Sequence, residues 1–448
     1  MAHPINHNDM RHTNIKTLFK RYFIASSATM LVRALHSMAD GIFIGNVVGA
    51  NGLAAMNIIL PLLCLFFGIA VLLGAGAGAL SSIHIGEGKV DKARNIIYEA
   101  VVLCIALSVL FSIFILLFAE KICILLGADS TTLPYCVDYI RTMSYFFIPY
   151  CLTTTLNFFV RNDNAPKMSF IAITASVAAN ILMNYIFMVP LNMGMRGAAL
   201  ATGLAQFVSV GLLCIHFIRR KGNFDLRLNR VKFHFGEVRR FCGLGISNFI
   251  YEITFGIITL LFNRLLMTLA GPLGVSAFSI AMYVTNFFFC FLMGVTNAMQ
   301  PIISYNYGAA LYARVKETFY IGLKVDYIFA VAFTLLGMLF PRYVVMLFNR
   351  SDAALIELAS FALLCVTPML LPFAFNSSVS TLIQAIGDGK RAGIIALLRG
   401  FVFVLIALYV LSYFFGITGV CLAYTAAEVL GLIPCILSFK RLRKEALI

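Results

Sequence analysis

The chain has 448 residues, of which 61% are hydrophobic and 12% charged, with a formal net charge of +15, eleven Cys and no Trp. An average soluble domain carries about 25% charged residues, so this composition excludes an ordinary water-soluble protein and points to lipid as the solvent. The basic excess would suit nucleic acid, but it is spread between apolar runs, which argues against that partner.

The first residues, MAHPINHNDMRHTNIKTLFKR, are polar, and no cleavable signal peptide is expected there. A spanning helix needs about 20 mostly apolar residues. Twelve such runs follow in order, near 18–45, 53–83, 96–118, 133–160, 168–190, 197–218, 241–269, 275–305, 317–340, 355–385, 391–414 and 418–439. The first carries polar residues, so its assignment leans on its repeat partner. Connections are short and turn-like (GEGK, NDNAPK, GDGKR), apart from the hydrophilic stretch 219–240. With the N-terminus inside, the segments on the cytoplasmic side hold 27 of the 34 Lys and Arg, which sets the orientation and places both termini in the cytoplasm. The cysteines form no CxxC or Cys/His metal spacing and read as small packing residues.

The chain is also duplicated. VVGANGLAAMNI (47–58) returns 222 residues later as LAGPLGVSAFSI (269–280), pairing Gly49 with Gly271 and Gly52 with Gly274. The same offset pairs Ser82 with Ser304, Gly86 with Gly308, and Gly197 with Gly419. Agreement on one offset marks a repeat. Six spans per half is an even number, so the repeats are parallel and a site belongs between or within the lobes. The expected division is an N-terminal lobe 1–218, a cytoplasmic loop 219–240 and a C-terminal lobe 241–448.

Arg33, His36 and Asp40 stand at i, i+3 and i+7 in the first span, on one helical face. A charge at a helix centre costs about 2.5–3.5 kcal/mol on insertion scales, so this stripe faces protein or a water-filled cavity. It serves either as a structural ion pair or as a proton or cation relay. Asn180 and Asn184 repeat the logic at i and i+4 in span 5, and on residues alone they read as interhelical hydrogen-bond partners. Glu252 in span 7 is the other buried acid, with Asp326 and Glu428 behind it. By the offset, Asp40 corresponds to Phe262, Thr202 to Tyr424 and Glu252 to Met30. The scaffold glycines are repeated and the ionisable groups are not. Span 8 is aromatic and soft, with Tyr283, Asn286, Phe287, Met293 and Gln300 available for a cavity wall, and Asn157 of span 4 is a further polar contact.

MADGIFIGNVVGANGLAAMNIILP (38–61), GAGALSSIHIGEGKVDKA (76–93), NAPK followed by NILMN (180–184), GMRGAALAT (194–202) and above all QPIISYNYGAA (300–310) carry a resemblance over nearly the whole chain. The sequence resembles the multidrug and toxic compound extrusion (MATE) transporters, DinF/MepA-type branch. The resemblance implies an all-α integral membrane protein of twelve transmembrane helices, in two six-helix lobes related by a pseudo-two-fold parallel repeat. It also implies a cation site in the N-terminal lobe, where Asp40, Asn180 and Thr202 match the pattern and Asn184 stands where an Asp is often found. One carboxylate fewer weakens a Na+ site and leaves a proton carrier on Asp40 intact. Glu252 resembles an acid used by another branch, but its span-10 Asp partner has no counterpart here, so Glu252 is structural or auxiliary.

The reading is a secondary-active exporter of organic cations or amphipathic drugs in a bacterial cytoplasmic membrane. It is expected to be a monomer, with no cofactor and no catalytic residue, coupled to protons or less readily to Na+ at Asp40, Asn180 and Thr202. Arg33, Arg264 and Arg399 keep a flippase of lipid-linked intermediates open. No Ser/His, His/Asp or phosphate-loop constellation supports the remaining alternative, a membrane enzyme.

Overall fold

The computed structural model describes residues 8–219, 233–348 and 352–445, and every regular element among them is a helix. The first half comprises a short α1 (Asn8–His12), then α2 (Ile15–Val47), α3 (Ala50–Gly86), α4 (Val90–Leu125), the broken pair α5 (Leu133–Ser144) and α6 (Phe147–Asn162), α7 (Pro166–Met188) and α8 (Gly194–Ile218). The second comprises α9 (Phe235–Gly308), α10 (Tyr312–Leu339), the short α11 (Pro341–Val345), α12 (Ala353–Val366), α13 (Leu370–Ala385), α14 (Gly389–Leu397) and α15 (Phe403–Lys444). Much of the hydrophilic central stretch lies outside the described residues.

By length and composition alone, eight helical segments among the described residues could each cross a membrane. Two of these, α9 and the α14–α15 run, turn back on themselves at Gly271 and Gly416 and supply two spans apiece. Two further spans miss the criterion for visible reasons. Helix α2 carries Arg33, His36 and Asp40, and α5–α6 is interrupted at Tyr145 and Phe146. The total is twelve, in two six-helix lobes.

The duplication is written into the backbone. Gly49 (φ 86°, ψ −160°) and Gly271 (φ 61°, ψ −159°) take the same left-handed turn between the first two spans of each half. Gly194 (φ 54°) and Gly416 (φ 56°) do the same before the last span of each half. Side chains with a Cβ are strained at these angles, which is why glycine recurs there while neighbouring residues drift.

The two lobes close on each other at the end that carries the described residues nearest both termini. A Cβ on Gly86 would lie 2.1 Å from the Tyr305 carbonyl oxygen, and one on Gly308 would lie 2.0 Å from that of Ile83. Positions 83 and 305 are themselves partners at the 222 offset, so this contact sits on the pseudo-two-fold axis. Each lobe's first helix also begins against the other lobe. Ile15, Leu18, Phe19 and Tyr22 of α2 pack on Val295, Ile302, Val379 and Ile383. Phe241 and Leu244 of α9 pack on Leu73, Ala77 and Leu80 of α3. Farther along, Gly294 admits Ser27 and the Cys290 thiol donates to the Met30 carbonyl at 3.6 Å. Beyond Met30 both helices present exposed side chains, Met38 and Ile42 from α2, and Tyr283 and Phe287 from α9, on either side of a cleft between the lobes.

Candidate functional site

Inside the first lobe, α2, α7 and α8 bring four of the predicted residues into one hydrogen-bonded chain. Asn184 Nδ2 donates to Asp40 Oδ1 at 2.7 Å and to Asn180 Oδ1 at 3.1 Å. Asn180 Nδ2 donates in turn to Thr202 Oγ1 at 3.3 Å. The i, i+4 spacing of the two asparagines stacks them on one face of α7, and the small residues of α8 (Ala198, Ala199, Ala201, Gly203) let that helix approach closely. His36, one turn before Asp40, holds Nε2 3.4 Å from Asp40 Oδ2 and makes no hydrogen bond there. Both side chains are 22% exposed, so this is the wet end of the chain. Asn180, Asn184 and Thr202 are buried. Asn184 Oδ1 is buried without a partner, a free acceptor beside the carboxylate.

Tyr139 of α5, buried, closes the site against Asp40 and Thr202. Sequence reasoning missed it, because a tyrosine in a helix that also carries Tyr135 and Arg141 gives no signal of its own.

Arg33 goes elsewhere. Its guanidinium lies over the Phe67 ring at 5.4 Å, with Glu252 of α9 as its acidic neighbour and Tyr150 alongside. The face shared by Arg33, His36 and Asp40 therefore serves two places: Asp40 within its own lobe, and Arg33 across the cleft. Glu252 itself makes no hydrogen bond or ion pair within 4.0 Å among the described residues, and its Cβ lies 3.3 Å from where a Cβ on Gly68 would be.

The residues named for the cavity wall divide. Tyr283, Asn286 and Phe287 are exposed, and Tyr283 and Phe287 continue the stripe of Cys290 and Gly294 that packs on α2. Met293 is packed against the second lobe's core. Asn157 is buried inside the first lobe, where Ser169 Oγ donates to its Oδ1 at 3.0 Å. Gln300 is buried in the closed seam, donating to Asn162 Oδ1 at 3.3 Å and Ser304 Oγ at 3.2 Å. Neither reaches the cleft in this state. The cations that could have gathered round a phosphate do not gather: Arg264 is exposed, and Arg399 is held by Glu428 at 2.8 Å. A π-turn at Leu398–Val402 sets Arg399 there, over Phe373 at 4.6 Å, and Asn376 also donates to Glu428 Oε2 at 2.9 Å.

The MatE family model matches residues 25–186 and again 245–428, one block in each lobe and together well over half the chain. The chain belongs to the MatE family. These are the multidrug and toxic compound extrusion transporters, multi-pass proteins of the cell membrane. Among curated members, the multidrug export protein MepA of Staphylococcus aureus (strain NCTC 8325 / PS 47) is 26% identical over 423 residues, 93% of this chain and 92% of its own length. MepA of Staphylococcus haemolyticus (strain JCSC1435) is 26% identical over 408 residues, 90% and 89% of the two chains. Among solved structures, MATE in complex with MaL6 superposes with a TM-score of 0.92 at 21% identity, over 100% of this chain and 99% of that one. The outward-facing conformation of a multidrug resistance MATE family transporter of the MOP superfamily gives 0.91 at 22% identity, with the same coverage. These neighbours fix the fold of the family on this chain.

Proposed function

We propose that this MatE member is a secondary-active multidrug exporter that exchanges protons for organic cations or amphipathic compounds at Asp40. The observation that carries the reading is the Asp40–Asn184–Asn180–Thr202 chain, built in one lobe only. Multidrug export, for which the MepA relatives are named, agrees with it. An ionised carboxylate away from water is costly unless a donor or a cation lies against it. Asn184 supplies one donor to Oδ1, and Oδ2, on the wet side next to His36, takes either a proton or the charge of a bound cation. Competition for that oxygen couples the two, and the lobes move between access states as one replaces the other.

The wiring favours a proton over Na+. The oxygens of Asn180 and Thr202 already accept from amide groups and Asn184 presents its NH2 to Asp40, which leaves Asn184 Oδ1 and Asp40 Oδ2 as the free oxygens, few for a Na+ shell. His36 is placed to relay the proton between the cleft and Asp40. With both termini cytoplasmic, the closed end faces the cytoplasm and the cleft opens outward. The moving bodies are the lobes 1–218 and 241–448, joined by the loop between them, in a monomer that needs no cofactor beyond the coupling ion.

Transport in proteoliposomes tests this. Drug export should persist in Na+-free buffer and collapse with a protonophore. Strict dependence on Na+ would refute the proton reading.

A further inference from the structure

At the closed end of the cleft, α2, α6 and the first turn of α7 surround a small pocket lined by Ser26, Thr29, Met30, Arg161, Pro166 and Ser169. Arg161 is 5% exposed, and its guanidinium lies over Phe158 with Cζ 4.6 Å from the ring centroid. Among the described residues it has no carboxylate and no hydrogen-bond acceptor, and its Nε is buried unpartnered. Its charged neighbour is another cation, Arg33. Asp163, two residues on, is engaged by His216 at 3.0 Å. Ser26 Oγ, also facing this pocket, is buried with no partner. The pocket borders the start of α7, where Pro166 occupies the first turn and the helix dipole is positive.

A guanidinium, an unpartnered hydroxyl and a helix N-terminus converge with no acid among the lining residues, and a buried unpaired charge is unfavourable until something neutralises it. We propose that this pocket is a binding site for a small oxyanion, a carboxylate or phosphate group held by Arg161 and Ser26, with the positive end of the α7 dipole beside it. In this state the pocket has no room even for a water molecule, so it is closed over the guanidinium. The walls are close, so the group seats as the flexible ends of Met30 and Arg161 give way. The head of a transported amphiphile and that of an anionic phospholipid present the same chemistry.

The test is binding of octyl phosphate to the purified full chain, with octanol as the uncharged control. Wild type should bind octyl phosphate saturably and octanol at least about tenfold more weakly, the loss of one charge-assisted contact. Arg161→Gln should lose that discrimination and Arg161→Lys should keep part of it. Ser26→Asp retains the guanidinium and gives it a carboxylate, so it should raise the thermal midpoint without ligand and abolish octyl phosphate binding. Competition by phosphatidylglycerol in nanodiscs assigns the site to lipid; octyl phosphate binding that phosphatidylglycerol leaves unchanged assigns it to the amphiphile. Equal binding of octanol and octyl phosphate, or a Ser26→Asp protein that binds octyl phosphate like wild type, would overturn the site. Asp40→Asn should bind octyl phosphate normally, so this proposal stands or falls apart from coupling.

Discussion

Phe262 stacks on Tyr424 with ring centroids 4.6 Å apart, at the two positions that the 222-residue offset assigns to Asp40 and Thr202. Val402 and Ile406 occupy the places of Asn180 and Asn184. Phe262 and Tyr424 lie in the second lobe's core, while Val402 is half-buried at the end of the π-turn and Ile406 is exposed, so the copy keeps one contact of the site and not the whole arrangement. Where the first lobe places Asp40 and Thr202, the second stacks two aromatic rings in its core.

That core should be structural. Phe262 is 1% exposed, and truncating a buried Phe costs about 3–5 kcal/mol in a site that cannot collapse. Phe262→Ala should lower the thermal midpoint in detergent, while the protein that remains folded releases the same number of protons per drug bound. A changed proton count would mean that the second lobe takes part in coupling.

The reciprocal contact of Gly86 with Tyr305 and Gly308 with Ile83 leaves no room for a methyl group, since each Cβ would meet a backbone oxygen near 2 Å. Gly86→Ala and Gly308→Ala should each prevent full closure of this end. Cysteine cross-linking across the seam should fall in both variants to a similar extent, and export with it. A variant that cross-links and exports like wild type would show that the contact relaxes cheaply.

An ion-pair cluster bridges the same seam. Lys92 Nζ reaches Glu237 at 2.6 Å, and buried His84 contacts Glu87 at 2.9 Å and Glu237 at 3.9 Å. Partial burial pushes Glu237 up, but the Lys92 hydrogen bond and the charges of Lys92, His84 and Arg240 outweigh it and hold the carboxyl below its ordinary range. A depressed carboxylate contributes above its ordinary value and loses that contribution as pH falls through the depressed one. Closure should therefore be insensitive to pH between 7 and 5.5 on account of this residue. Glu237→Gln should shift the closed population only a few-fold, as partly exposed pairs are worth about 0–1 kcal/mol. Spin-label distances across the seam measure both.

Much of this architecture is legible in the sequence, because lipid leaves few choices. Apolar length gives the spans, and the repeated glycines mark turns that only glycine takes easily, as Gly49/Gly271 and Gly194/Gly416 show. Helical spacing puts Asp40 on a polar stripe and pairs Asn180 with Asn184, but it is the family resemblance that gathers them with Thr202 into one site. Tyr139 and Arg161 could not be found that way. Tyr139 comes from a helix whose face depends on the break at Tyr145 and Phe146, and Arg161 reads as one more basic residue of a loop until its burial is seen. Asn157 and Gln300 show the converse: polarity inside a span does not say whether a side chain meets a cavity or another helix.

Orientation has a direct check at Asp129. The hydroxyls and amides of Thr132 and Thr131 hold its carboxyl down to about 2, so the turn should keep its order from pH 8 to pH 4. A cysteine at neighbouring Ser130, which is exposed, should react with an impermeant reagent added outside intact cells. One placed at 223–232, outside the described residues, should react only after the membrane is breached. The opposite pattern would invert the topology.

Asp40→Asn keeps the shape of the site and its bond to Asn184 but cannot exchange a proton. The decisive measurement is proton release on addition of a cationic drug to purified protein, wild type beside Asp40→Asn at matched thermal midpoint. The account predicts release by the wild type and none by the variant, which should still insert normally and bind neutral ligands. Proton release by Asp40→Asn at the wild-type level would contradict it and move the coupling site to Glu252.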